Sequence, residues 1–136
     1  CLLYASETLT PLKRHENTLS VFLHRCLRRI LGASRRDRVS HSRQCGNQPS
    51  IDRLLCRARL RWLGHLGRLD FGRVCKCMLT AGCVPGYKRP RQGRRKRWND
   101  LAQKDLDRVK LGRARWPEVC HLRSVWRSLV AEAVSG

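Results

Sequence analysis

The stretch "ARLRWLGHLGRL", residues 58–69, contains the pattern on which the predicted fold depends. Its leucine and tryptophan residues recur at spacings of three and four, which is typical of an amphipathic helix. Ser50 is suited to the N-cap of this helix, so we predict a helix over about residues 50–69. The predicted apolar stripe comprises Ile51, Leu55, Ala58, Trp62, Leu66 and Leu69.

A different face of this helix is basic, because it carries Arg53, Arg57, Arg61 and Arg68. Like charges four residues apart weaken an isolated helix by a few tenths of a kcal/mol, but a polyanion along the row, about 22 Å long, would neutralise them. Gly64 lies among these arginines, and we expect it to let a phosphate backbone approach closely. The alternative is a solvated basic face without a ligand, which is the more common explanation for a single basic helix face.

The N-terminal part of the chain predicts another helix, over about residues 11–31. Thr10 is the expected N-cap, Pro11 the first helical residue and Gly32 the stop signal. Polar residues 33–49 then read as a loop. The apolar stripe of this helix comprises Leu19, Phe22, Leu23, Cys26, Leu27, Ile30 and Leu31, and its outward side carries Arg14, Arg25 and Arg28.

Residues 81–97 form a predicted basic linker, since prolines and glycines there break any regular element. We expect its cations to bind nucleic acid, with Tyr87 and Trp98 stacking on unpaired bases. A nuclear-import signal or a plain flexible linker are the alternatives. The predicted contact residues of this run are Lys88, Arg89, Arg91, Arg94, Arg95, Lys96, Arg97 and Trp98.

Two further helices are predicted in the C-terminal part, over about residues 98–111 and 117–134, with Gly112 ending the first. We expect His121 and His65 to be partly buried packing residues. The predicted fold is therefore all-α, with about four helices in a small loose bundle and a long loop rich in Gly, Pro and Arg. Its N-terminal helical part covers residues 1–80, its linker 81–97 and its C-terminal helical part 98–136.

The charge balance of the 136 residues points to an anionic partner, because 30 Lys and Arg face 10 Asp and Glu, a net charge of +20. No run approaches the roughly 20 apolar residues of a membrane span, and no secretory signal is recognisable. We therefore expect no membrane partner and a nuclear or cytoplasmic location. Because the chain begins at Cys1 within an apparent element, we expect it to be a fragment.

Neither a metal site nor catalysis is expected from the side-chain pattern. The eight cysteines include no CxxC pair, so their spacing does not favour zinc. Asp105 and Asp107 differ by about 200° around a helix and are unsuited to sharing a metal ion. No phosphate-binding glycine loop or hydrolase motif occurs. We expect no catalytic residue and no cofactor.

Five motifs in order resemble the region after the polymerase palm in non-LTR (LINE-type) retrotransposon endonuclease-reverse transcriptase polyproteins. The resemblance covers nearly the whole chain, although Ala5 and Leu9 stand where the family typically has glycine and tryptophan. The motifs are "LLYASET" (2–8), "RCLRRILG" (25–32), "RLRWLGHLGRL" (59–69), "GRRKRWNDLAQKDL" (93–106) and "WRSLV" (126–130).

The resemblance implies a thumb or post-thumb segment that helps to hold template RNA and primer DNA during target-primed reverse transcription. Its partner would be the upstream palm domain of an RNA-directed DNA polymerase with an endonuclease, and this segment would hold neither enzymatic centre. The alternatives are an autonomous basic nuclear protein that binds nucleic acid or another partner, and an inert transposon relic. We expect the chain to bind single-stranded RNA or an RNA-DNA hybrid with little sequence preference.

Overall fold

All the regular secondary structure in the part of the chain that the structure describes is helical. A computed structural model describes residues 3–33, 37, 48–80, 97–112 and 114–135, and these contain no strand, which confirms the predicted all-α class. The basic linker lies outside these residues except for Arg97. In chain order the elements are a 3-10 turn at Ser6–Thr8, α1 at Lys13–Ile30, α2 at Ile51–Arg68, α3 at Val74–Thr80, α4 at Trp98–Arg108, α5 at Trp116–Val119 and α6 at Arg123–Ser135.

Helix α2 is the central element, since it packs against the 3-10 turn and against α1, α3, α4 and α6. Its predicted N-cap is confirmed, because the Ser50 hydroxyl accepts a hydrogen bond from the Arg53 backbone N–H at 3.5 Å. Asp52 in the first turn adds a favourable interaction with the helix dipole. Local sequence signals therefore fix where this helix begins.

The buried face of α2 is rotated relative to the predicted apolar stripe. Ala58 and Trp62, which we expected to be in the stripe, are only half-buried, whereas Arg59 and two glycines are buried. Hydrophobicity alone could not assign those three residues to a core. The buried residues of α2 are Ile51, Leu55, Cys56, Arg59, Leu60, Leu63, Gly64, Leu66 and Gly67.

The hydrophobic core joins α2 to the C-terminal helices. Leu60 and Leu63 of α2 and Leu106 of α4 are almost fully buried, and burying a leucine side chain typically contributes about 1.5–3 kcal/mol. The Trp126 indole N–H of α6 donates to the Leu60 carbonyl at 3.2 Å. The buried core cluster comprises Cys56, Leu60, Leu63, Ala102, Leu106, Val109, Cys120, Trp126 and Val130.

Both glycines of the α2 motif are packing residues. A Cβ on Gly64 would overlap the Trp126 indole, with Cε2 at 2.6 Å, and a Cβ on Gly67 would lie 2.9 Å from the Trp116 ring. The lack of a side chain at these positions therefore lets α5 and α6 approach α2 closely. Our expectation that Gly64 faces a phosphate backbone is wrong.

Helix α1 begins later than predicted and is the least buried of the long helices. Leu12, rather than Thr10, is its N-cap, and the Leu12 N–H donates to His15 Nδ1 at 3.4 Å. Gly32 ends the helix at a φ of 63°, as predicted. α1 has no buried residue, and Ile30 of the predicted stripe is 79% exposed. Of this stripe, Leu19, Leu23, Cys26 and Leu27 are half-buried, whereas Phe22 is exposed.

The C-terminal region differs from the prediction in where its first helix ends and in how many helices follow it. α4 ends at Arg108, and Lys110, rather than Gly112, takes the left-handed conformation with a φ of 55°. The single helix predicted over about 117–134 is two helices, α5 and α6, separated by a turn. His121 lies in that turn and is exposed, so the prediction that it is partly buried is wrong.

Helix α3 was not predicted from the sequence, and it is anchored to the end of α2. The buried Lys76 ammonium of α3 donates a hydrogen bond to the Gly67 carbonyl. The same ammonium lies 5.1 Å from the centroid of the Phe71 ring, within the range of a cation–π interaction. Lys76 therefore anchors this short helix. The helix was not predicted because its sequence has no apolar periodicity.

Candidate nucleic-acid interface

A groove with a volume of about 1180 Å³ runs between α2 and α6. The two helices are joined by the hydrogen bond from the Trp126 indole N–H to the Leu60 carbonyl, and Trp126 itself lines the groove. The groove is lined by Glu7, Arg57, Ala58, Arg61, Trp62, His65, Arg68, Leu69, Arg123, Trp126, Arg127, Val130 and Ala131.

Five arginines converge on this groove from the two helices. Arg57, Arg61 and Arg68 belong to α2, whereas Arg123 and Arg127 belong to α6. Residues four apart share one face of a helix, so the crossing of α2 and α6 places two basic faces opposite each other. Among the described residues that line the groove, Glu7 is the only acid. A cleft lined by charges of one sign concentrates counter-ions.

Four of the five guanidinium groups are open to solvent, and the fifth is anchored. Arg57, Arg61, Arg123 and Arg127 are exposed, while Arg68 is half-buried. The Arg68 Nη1 donates to the Cys120 carbonyl at 2.8 Å. A guanidinium has five N–H donors, so this bond positions Arg68 and leaves donors for an anion. The groove thus combines one fixed cation with four adjustable ones.

Two aromatic rings of α2 line the groove, in addition to Trp126 of α6. Trp62 and His65 are three residues apart on α2, and their ring centroids lie 5.2 Å apart with an interplanar angle of 30°. Trp62 is half-buried and His65 is exposed, so the expectation that His65 is partly buried is wrong. Cations and ring surfaces together are the features that single-stranded nucleic-acid sites combine.

Three of the four site residues predicted on α2 line the groove, and one does not. Arg57, Arg61 and Arg68 line the groove together. Arg53, in the first turn of α2, is half-buried and does not line it. The row of four predicted arginines is therefore reduced to three groove residues.

Neither Arg97, the last residue of the linker, nor Trp98, the first residue of α4, lines the groove. Arg97 is exposed at the N-cap of α4, where its backbone N–H donates to Asp100 Oδ2 at 3.3 Å. Trp98 is half-buried against the core, and its indole N–H donates to the Glu7 carbonyl at 2.6 Å. This packing gives Trp98 a structural role. The remaining predicted contacts, Lys88, Arg89, Arg91, Arg94, Arg95 and Lys96, and also Tyr87, lie outside the described residues.

Sequence reasoning missed Arg123 and Arg127 as site residues. Their spacing of four residues around the buried Trp126 was the available signal, because it puts both on one side of a predicted helix. The sequence does not show, however, that this side adjoins the basic face of α2. Only the helix packing brings the two pairs of exposed arginines together.

A second charged feature, the ion pair between Arg59 and Asp105, lies in the core. The Arg59 Nε is 2.6 Å from Asp105 Oδ2, and Nη2 is 3.1 Å from Oδ1. Both residues are almost fully buried, and Arg59 Nη1 has no hydrogen-bond partner among the described residues. This pair links α2 to α4 and is closed to a ligand.

The buried cysteines near these helices are poorly suited to nucleophilic chemistry. Burial, and then the neighbouring Asp105 carboxylate, raise the pKa of the Cys56 thiol to about 12. Burial also raises the pKa of the Cys120 thiol. Both groups therefore remain protonated near neutral pH. Since the thiolate is the reactive form of cysteine, neither is a good nucleophile.

The residues that the structure describes contain no cluster of three His, Cys, Asp or Glu side chains able to hold a metal ion. Asp105 is buried against Arg59, whereas Asp107 is exposed and accepts a hydrogen bond from Gln103 Nε2 at 2.9 Å. The two carboxylates therefore point away from each other, as their spacing predicts. Of the helices in the described ranges, none is both long and apolar enough to cross a membrane.

Comparison of the chain with protein-family models, with curated proteins and with solved structures gives no match. The resemblance to retrotransposon reverse transcriptases therefore rests on the sequence motifs.

Proposed function

We propose that this chain is a nucleic-acid-binding segment that holds RNA, or an RNA-DNA hybrid, in the groove between α2 and α6 without reading its sequence. The observation that carries this proposal is the convergence of five arginines from two helices, with Glu7 as the only acid among the described lining residues. Guanidinium groups bind phosphate oxygens by paired hydrogen bonds. The net charge of +20 adds a long-range attraction for the same polymer.

The dimensions of the arginine row suit a short length of one strand. Arg57 and Arg68 are separated along α2 by about 16 Å, at 1.5 Å per residue. One strand of a nucleic acid carries a phosphate about every 3.4 Å along a duplex axis, so the row matches about five phosphates. Contacts of this kind fix the position of a strand and carry no sequence information.

We further propose that the segment belongs to a non-LTR retrotransposon reverse transcriptase and supports RNA-directed DNA synthesis in the nucleus or cytoplasm, beside an upstream palm domain. Two of the motifs that resemble this family, residues 59–69 and 126–130, supply lining residues of the groove from α2 and α6. Those motifs contain Arg61, Arg68 and Arg127. The proposed role is to hold template and primer without contributing an enzymatic centre.

Salt-dependent binding tests the nucleic-acid function directly. Fluorescence anisotropy with a labelled single-stranded RNA and an RNA-DNA hybrid should give affinities that fall steeply with salt. The five groove arginines by themselves contribute about −3.5 to the slope of log K against log salt for a single strand. An affinity that does not change between low and high salt would contradict the proposal.

The upstream genomic sequence tests the retrotransposon context separately. An in-frame polymerase palm before Cys1 supports it. A start codon immediately before Cys1, with no palm upstream, would contradict the retrotransposon context and leave the binding function to be judged by the salt series.

A further inference from the structure

The wall of the groove formed by α2 carries an aromatic surface whose role the arginines do not explain. Trp62 and His65 both line the groove, with centroids 5.2 Å apart and planes tilted by 30°. Their spacing of three residues puts them on the same side of α2. Arg61 precedes this ring pair in the sequence and Arg68 follows it, and both also line the groove. Aromatic and cationic groups therefore share one wall.

Trp62 is not used in the hydrophobic core that the described residues form. Trp126 belongs to that core, and Trp98 and Trp116 pack against it, whereas Trp62 does neither. The indole N–H groups of Trp98 and Trp126 donate to backbone carbonyls. Those three tryptophans thus have structural roles. The remaining one sits half-buried in the wall of a basic groove.

We propose that Trp62 and His65 form a stacking surface for an unpaired base, so that the groove takes single-stranded nucleic acid in preference to a paired helix. This inference rests on the proposed nucleic-acid function of the groove. Every base has a π-face, and stacking on an aromatic side chain is independent of sequence. In a duplex each base face is already stacked on its neighbours. Only an unpaired base can present its face to the ring pair while the arginines hold the flanking phosphates.

A strand without bases separates the contribution of base stacking to the affinity from that of the phosphate charges. The full 136-residue chain is titrated by fluorescence anisotropy with an oligouridylate and with an abasic strand of the same length and phosphate number. We expect the abasic strand to bind about tenfold more weakly at equal salt, with the same salt slope. Equal affinities for the two strands would overturn the stacking proposal alone. Absence of salt-dependent binding to either strand would overturn the proposed function as well.

Variants of Trp62 test whether the preference for oligouridylate over the abasic strand comes from the ring pair. Trp62→Leu keeps an apolar side chain without a π-face, so it should lose about tenfold on oligouridylate and nothing on the abasic strand, whereas Trp62→Phe should retain most of the preference. A Trp62→Leu variant that keeps the full preference, or that weakens both strands equally, would overturn the assignment.

Histidine variants provide a test that does not depend on the half-buried tryptophan. His65 is exposed, so His65→Ala should keep the fold, and circular dichroism checks this. We expect His65→Ala to reduce the preference for oligouridylate several-fold. The matched control is His121→Ala, because His121 is also exposed but does not line the groove. Equal behaviour of the two variants would contradict a role for the ring pair.

Discussion

Arg59 and Asp105 form a two-point ion pair across 46 residues of sequence, with N–O distances of 2.6 Å and 3.1 Å. The pair joins α2 to α4 in the interior, where Arg59 is 4% exposed and Asp105 is 2% exposed. Removing two charges from water is unfavourable, and the loss of one partner leaves the other charge uncompensated. The packing of α4 on α2 therefore depends on both residues.

The first prediction concerns Asp105→Asn, which removes the charge of the buried carboxylate and keeps its shape. We expect the free energy of unfolding to fall by about 3–5 kcal/mol, because the Arg59 guanidinium is left buried without its counter-ion. Urea denaturation followed by circular dichroism measures this. Asp107→Asn on the exposed side of α4 is the control and should change stability by less than about 0.5 kcal/mol. Similar effects of the two substitutions would argue against the buried pair.

The second prediction concerns Gly64→Ala. Alanine gains about 1 kcal/mol in helix propensity, but its Cβ would overlap the Trp126 indole. Overpacking of this kind costs about 1–3 kcal/mol, so we expect no net stabilisation and a separation of α2 from α6. The thermal midpoint measures the outcome. Gly72→Ala, which meets nothing within 4 Å, should be neutral or stabilising. A Gly64→Ala variant more stable than the parent would contradict the close packing.

The third prediction concerns the four exposed arginines of the groove, replaced together by glutamine. We expect the slope of log K against log salt to become shallower by about 2.8 for a single strand, since four phosphate contacts are lost. Anisotropy titrations across a salt series measure it. The four are Arg57, Arg61, Arg123 and Arg127.

A control with the same change in net charge replaces four exposed arginines that do not line the groove. The long-range electrostatic attraction between the protein and the nucleic acid falls equally in both variants. Any difference between their salt slopes therefore reports contacts made in the groove. Equal changes in slope would show that the groove has no special part in binding. The control residues are Arg14, Arg25, Arg29 and Arg115.

The fourth prediction concerns the basic linker. Replacing Arg94, Arg95, Lys96 and Arg97 together by alanine should weaken RNA binding more, for each cation removed, than replacing Arg14, Arg25 and Arg28, because four adjacent cations present a dense charge to one strand. Dissociation constants at one fixed salt concentration measure this. If the loss for each cation is the same in both variants, the linker makes no specific contribution.

The fifth prediction concerns stability at alkaline pH. Burial, together with the nearby Asp105 carboxylate, raises the pKa of the Cys56 thiol from its ordinary value of 9.0 to about 12. Between these pH values the unfolded chain releases the proton and the folded chain retains it. Stability therefore falls as pH rises above 9, by up to about 1.4 kcal/mol per pH unit. Urea unfolding at a series of pH values measures the slope, which should be shallower in Cys56→Ala. An unchanged slope would contradict the assignment to Cys56.

Signals carried by single residues predicted some of the helix ends, although Thr10 and Gly112 do not mark the ends expected of them. Ser50 as an N-cap and Gly32 as a helix end were both readable, because each acts on the backbone next to it. The partners of Arg59 and Gly64 were not readable, since Asp105 and Trp126 lie 46 and 62 residues further along the chain. Burial of an arginine and of a glycine is decided by those distant partners.

The candidate site shows the same division between local and distant information. The basic face of α2 was predicted from the spacing of its arginines, and three of the four line the groove. Arg123 and Arg127 were not predicted, because the turn after α5 sets the direction of α6 and the sequence does not reveal how α6 crosses α2. The assignment of Trp62 to the core was wrong, because the buried face of α2 includes Arg59 and two glycines, which an apolar pattern does not reveal.

The central position of α2 has a consequence for synthesis on the ribosome. Its inner leucines, such as Leu60, are sealed by Leu106 and Trp126, which are translated later. At about 5–20 residues per second, roughly 3–12 s pass between completion of α2 and arrival of Trp126. Throughout this interval the apolar face of α2 lacks the partners that later cover it, so the nascent chain carries exposed hydrophobic surface that is prone to aggregation.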